Sequence, residues 1–222
     1  MLITAIPCLV IACLPKQYRY HNKIYFFLTN FFYNGVLRAL LLPIHIHGKE
    51  LIPNEPAMFI ANHQSALDIP LVGAIVGRRP HIWLVLSYYT QFPVLGFLIC
   101  RMNIPVEQDK SMKAARALIS VLRVARDSAQ DLIIFPEGSR YSDGKVHDFF
   151  DGYALIIEKT KRPLVPIFIK NNYKIFPRGA RLAQPYPIEA IVGPTFRIQP
   201  DETYQTLNER VRSWFLSQQD LA

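Results

Sequence analysis

Between Ile44 and Val192 the chain alternates short apolar runs with longer stretches of helical spacing, and this alternation limits the possible folds more than any other feature. Ala57 to Ala61, Ile82 to Leu86, Leu132 to Phe135, Leu164 to Ile169 and Ile188 to Val192 are apolar at nearly every position. Such a run needs apolar partners on both faces, as a strand has inside a covered, largely parallel sheet. Between these runs, Asp68 to Val76, Met112 to Ala125 and Gly152 to Lys159 repeat apolar residues at the spacing of one helix face. Ile44 to His47 alternates like a strand and Gly48 closes it. Thr203 to Leu216 reads as a closing amphipathic helix. The expected class is α/β, a mixed, largely parallel sheet flanked by helices.

The first 43 residues have a different texture. Met1 to Leu14 is apolar but short, and Pro7 interrupts it. Lys16 to Lys23 is polar and basic, and Ile24 to Pro43 is apolar and rich in aromatics, with Asn30, Asn34 and Arg38 inside it. A membrane span needs about 20 mostly apolar residues. Two short apolar helices around a basic turn therefore suit a monotopic, membrane-binding hairpin better than a span. The alternative is a packed core helix. A signal peptide is poorly supported, because no basic n-region and no small-residue cleavage site frame the first run. The expected division is a membrane-associating segment over residues 1–43 and one domain over 44–222.

The net charge of +8 favours polyanions as partners. Zinc-finger spacing and Gly-rich RNA-binding aromatic motifs are both absent from the sequence, so a phospholipid surface or phosphorylated substrates are expected and nucleic acid is not. Cys8, Cys13 and Cys100 are too few and too scattered for a disulfide framework. They suit a reducing compartment, and the cytoplasmic face of a membrane is the expected location.

Two constellations carry chemistry, and each follows an apolar run. In Asn62-His63-Gln64-Ser65-Ala66-Leu67-Asp68, a turn can bring the carboxylate onto the imidazole. A carboxylate on one ring nitrogen fixes the tautomer and leaves the other nitrogen to accept a proton. Spacing alone would equally fit a capped turn. In Phe135-Pro136-Glu137-Gly138-Ser139-Arg140, glycine permits close backbone approach and Arg140 offers a planar fork for phosphate. Glu137 could orient that fork or bind a substrate hydroxyl. A polar loop with a local Glu–Arg pair would explain the same residues.

Together the two resemble the glycerophosphate/lysophosphatidate acyltransferase family, whose pattern is N-H-x4-D followed downstream by F-P-E-G-[ST]-R. Ile104 to Glu107 and Val165-Pro166-Ile167 stand where that family has two further blocks. The resemblance covers Ile44 to Val192. It implies that His63 deprotonates an acceptor hydroxyl, which attacks the thioester of acyl-CoA or acyl-carrier protein. It implies that Asp68 holds His63, and that Glu137, Gly138, Ser139 and Arg140 bind the glycerol and phosphate of a lysolipid, with Asn62 and Ser65 in support. No metal, cofactor or covalent acyl-enzyme is implied. The leading reaction is conversion of 1-acylglycerol-3-phosphate to phosphatidic acid. Gln108, Ser87 and Phe150 or Asp151 replace cations common in the family, and Arg101, Lys110 and Lys145 are candidate substitutes. Another lysophospholipid or hydroxylated lipid therefore stays open as acceptor.

Rival classes are a lipid serine hydrolase and a non-catalytic lipid-binding protein. Neither Ser65 nor Ser139 lies in a G-x-S-x-G elbow. His45 and His47 lack a third ligand nearby, and His21, His81 and His147 read as surface or loop histidines.

Overall fold

The structure, a computed structural model, describes residues 2–107, 112–127, 129–177 and 179–221. The chain begins with helices α1 (Leu2–Cys13), α2 (Lys16–Arg19) and α3 (Lys23–Ala39), followed by β1 (Ile44–His47), β2 (Met58–Ala61), α4 (Asp68–Val76) and β3 (His81–Leu86). It continues with α5 (Pro93–Met102), β4 (Ile104–Val106), α6 (Met112–Asp127), β5 (Asp131–Ile134) and α7 (Gly152–Thr160). β6 (Leu164–Lys170), α8 (Asn172–Ile175), β7 (Ile188–Val192) and α9 (Tyr204–Asp220) complete it.

Among the described residues the strands form one sheet in the order β1-β7-β6-β2-β5-β3-β4. The five strands from β6 to β4 run parallel. β7 runs antiparallel to β6, and β1 follows β7. The mixed, largely parallel α/β sheet read from the sequence is thus the observed one. Successive strand residues serve opposite cores, as the pleat requires. Met58, Ile60, Leu132 and Ile134 pack with α6, α7 and α9, whereas Phe59, Ala61 and Ile133 pack with α3 and α4. Both faces are covered, which is why these runs are apolar throughout.

Helix α3 lies against α4, and one glycine permits the approach. A Cβ on Gly73 would sit 2.4 Å from the Tyr33 ring. Helix α1 packs through Cys8, Ile11 and Ala12 onto Tyr25, Phe26 and Met102. No described helix is long and apolar enough to cross a membrane.

Two details differ from the sequence reading. His81 is not a surface histidine: it is buried at the start of β3 among Phe26, Tyr33 and Trp83. Its Nδ1 lies 2.8 Å from the Arg79 carbonyl, and burial holds its pKa below the usual histidine range. Helix α5 carried no periodic signature, because Val94, Leu95 and Phe97 on it face solvent.

Candidate active site

The carboxyl ends of the parallel strands gather the two motifs into one cluster. β2 ends at Ala61, and Asn62 ties the chain down at once. Its side chain is fully buried and exchanges two hydrogen bonds with the Ile169 backbone, Nδ2 to the carbonyl at 2.9 Å and the Ile169 N–H to Oδ1 at 2.7 Å. Asn62 is therefore a brace between β2 and β6.

The chain then turns so that α4 begins with Asp68 beneath the imidazole. Asp68 Oδ2 lies 2.8 Å from His63 Nδ1 and accepts the backbone N–H groups of Gln64 at 2.6 Å and Ser65 at 2.7 Å. Asp68 Oδ1 accepts from Asn172 Nδ2 at 2.9 Å. The carboxylate is fully buried. These contacts make it an acceptor-only hub at the first turn of a helix, where the backbone dipole favours negative charge. With Nδ1 committed to Asp68, the imidazole presents Nε2 as its remaining basic atom. The ring also stacks on Phe135, with centroids 3.9 Å apart and planes within 9°.

The second motif reaches the first through the backbone of His63. The His63 N–H donates to Glu137 Oε1 at 2.9 Å, and the Tyr141 N–H donates to the His63 carbonyl at 2.9 Å. Glu137 Oε2 accepts the His147 N–H at 3.3 Å. Gly138, at φ +68°, closes the turn by donating its N–H to the Phe135 carbonyl at 3.1 Å. Glu137 is buried, and burial pushes its pKa up to about 7; the two backbone donors act the other way, and Asp68 and Asp143 add to the rise.

This His–Asp pair sits at the carboxyl edge of an α/β sheet, beside a turn with an exposed arginine. The family profile described as Acyltransferase matches residues 43–170, more than half of the chain. The chain belongs to the Acyltransferase family. It is 26% identical over 155 residues to a 1-acyl-sn-glycerol-3-phosphate acyltransferase of Limnanthes alba, covering 66% of this chain and 52% of that one. It is 28% identical over 165 residues to the enzyme of the same name from Saccharomyces cerevisiae, covering 69% and 54%. The chain thus spans about half the length of these curated relatives. Its fold is that of the 1-acyl-sn-glycerophosphate acyltransferase PlsC of Thermotoga maritima, with a TM-score of 0.79, 23% identity, and coverage of 98% of this chain and 88% of that one.

Within this acyltransferase fold, the structure sorts the residues singled out by sequence. His63, Asp68, Glu137 and Gly138 meet in one cluster, with Ser139 and Arg140 exposed on the adjoining turn. Among the described residues the Arg140 side chain has no ion-pair partner. Glu137 does not orient Arg140, because both its oxygens serve backbone donors. Ser65 is buried; its hydroxyl donates to the Phe176 carbonyl at 2.8 Å and accepts the Leu67 N–H.

Arg101 is not at the site. Its guanidinium donates to the carbonyls of Ala12, Cys13 and Leu14, which closes the end of α1. Lys145 is exposed, with its backbone N–H on Asp143 Oδ1. Lys110 and Gln108 lie outside the described residues. Three residues were missed. Asn172 follows β6 and holds Asp68, Phe135 lies against the His63 ring, and His147 stacks on Tyr141 at 3.6 Å. The pair Asn171-Asn172 directly after an apolar strand was the available signal for the first.

Proposed function

We propose that the chain transfers a fatty acyl group from acyl-CoA or acyl-carrier protein to the free hydroxyl of a lysolipid. The preferred acceptor is 1-acylglycerol-3-phosphate, giving phosphatidic acid. The observation that carries this reading is the 2.8 Å contact between His63 Nδ1 and the buried Asp68 carboxylate, at the foot of a turn bearing Arg140. His63 Nε2 takes the proton of the acceptor hydroxyl as its oxygen attacks the thioester carbonyl carbon. The C–S bond then breaks, and the proton passes from the imidazole to the departing thiolate. Asp68 fixes the tautomer and faces the positive charge that the ring gains. Arg140 suits the acceptor phosphate, to which a guanidinium can bond through two N–H groups. Glu137 acts one step back, by fixing the backbone of His63.

No step is routed through an acyl-serine, since the Ser65 hydroxyl is committed to Phe176. No metal or other cofactor is assigned a role. Exposed Ile6 and Val10 on α1, Phe27 and Phe31 on α3, and Phe92 and Leu95 near the start of α5 support a monotopic attachment to a phospholipid surface.

The test is thiol release by the purified protein against lysolipids with and without a terminal phosphate. Turnover is expected with the phosphomonoester, and His63→Ala is expected to lower kcat at least about 100-fold. Release with no lysolipid, or a loss below about threefold in the folded variant, defeats the proposal.

A further inference from the structure

A groove of about 560 Å³ runs beside the edge strand β4, away from His63, and nothing in the chemistry above uses it. Its wall on α6 is a stripe of Arg116, Ser120 and Arg123, residues spaced by four and three and hence on one helix face. Lys16 of α2 and Tyr20, just after that helix, also line it. Lys16, Arg116 and Arg123 are exposed, and among the described residues none is paired with a carboxylate. Among the described residues the one acid on the groove wall is Glu107, held by the Ser87 hydroxyl at 2.7 Å. Three cations from two separate elements thus face a recess within the size range of small-molecule sites.

The fold narrows the occupant. Pro105 leaves the three-residue edge strand β4 one N–H short, so the groove is ill suited to adding a peptide strand. Two of its lining residues, Ser87 and Glu107, directly follow β3 and β4, so this part of the groove is level with the carboxyl ends of those strands. β3 and β4 stand two and three strand spacings from β2, so these two residues lie about 10–14 Å from His63 along the sheet edge. An acceptor whose phosphate lies a few bonds from its reacting hydroxyl cannot bridge that gap. A donor can, if its phosphates are remote from its thioester along a flexible arm. Coenzyme A is built that way, whereas a carrier protein is far too large for the recess.

On the reading that a thioester is the acyl source, we propose that this groove binds the nucleotide phosphates of acyl-CoA through Arg116, Arg123 and Lys16. The test compares acyl-CoA with acyl-pantetheine, which lacks the nucleotide. The wild-type KM is expected to be lower for acyl-CoA. The exposed double variant Arg116→Ala/Arg123→Ala, checked for folding by thermal melting, is expected to raise the acyl-CoA KM about tenfold and shrink the gap between the donors. In parallel, adenosine 3′,5′-bisphosphate is titrated calorimetrically, with binding expected to wild type and lost in the variant. An unchanged KM gap together with unchanged nucleotide binding overturns the groove assignment. So does a variant that loses binding to phosphatidylglycerol vesicles while keeping its acyl-CoA KM, since the cations then serve a lipid head group. Failure of wild type to use any thioester defeats the functional reading instead, and the calorimetric arm still decides whether the groove takes the nucleotide.

Discussion

Replacing Asp68 by asparagine separates the charge of this side chain from its shape. Its Oδ2 accepts three donors, the His63 ring and the N–H groups of Gln64 and Ser65. An asparagine with its carbonyl oxygen at that position keeps all three. Its amide would then face Asn172 Nδ2, donor against donor. Asn172 Oδ1 is buried without a hydrogen-bond partner among the described residues, so turning the Asn172 amide over restores the bond. The variant should therefore fold. Charge-assisted hydrogen bonds contribute about 1.5–3 kcal/mol each and neutral ones about 1. With the Asn172 bond included, four such conversions amount to roughly 4 kcal/mol, largely offset because a charge no longer has to be buried. A net loss of about 1–2 kcal/mol lowers Tm by roughly 3–6 °C in a chain of this size. Turnover should suffer more, because the protonated imidazole of the transition state loses its counter-charge. We expect kcat to fall at least about 100-fold, or roughly 2.7 kcal/mol of barrier. Asp68→Ala is the contrasting case. It leaves two buried N–H groups without an acceptor, at about 1–3 kcal/mol each, a large part of the 5–15 kcal/mol that typically holds a domain together. Thiol-release kinetics alongside thermal melting make the comparison. An Asp68→Asn protein that melts as expected and turns over within about threefold of wild type would refute the role given to the carboxylate.

Glu137 makes stability depend on pH. The folded protein keeps this proton up to about pH 7, whereas the unfolded chain releases it near the ordinary glutamate value of roughly 4.3. The folded state binds more protons across that window, so stability is greatest below it and declines as pH rises from about 4 to 7, by about 4 kcal/mol in all. Glu137→Gln should remove this slope in urea melts at pH 5 and pH 8; an identical slope would show that another group is responsible. Arg101→Ala should lower Tm by several degrees, through loss of its bonds to three carbonyls at the end of α1, with the acceptor KM unmoved. A raised acceptor KM at normal stability would return Arg101 to the site. Arg140→Ala should raise the acceptor KM with kcat little affected, and a change confined to the donor KM would misplace the acceptor.

Much of this was legible in the sequence because the sheet is covered on both faces. Runs such as Ala57 to Ala61 and Ile82 to Leu86 mark its strands, and the ordered motifs mark the edge that carries the candidate site. What stayed hidden has physical reasons. The hold of Glu137 on His63 is made to a backbone N–H, and backbone bonds leave no trace in residue type. Arg101 stands as a candidate substitute cation in the sequence because a free guanidinium and one capping a helix end are the same letter. β4, three residues long, has too few positions to display a period. His81 was missed because a histidine opening a strand carries no mark of the aromatic shell that closes over it.

The His63 peptide is gripped from both sides by the later turn, through Glu137 on its N–H and Tyr141 on its carbonyl. Grafting a relative's 135–141 loop to change acceptor preference would thus also reset the register of the His63 imidazole. On the proposed reading, head-group choice and proton transfer are mechanically geared in this scaffold, and any redesign has to treat the two segments as one inherited cassette.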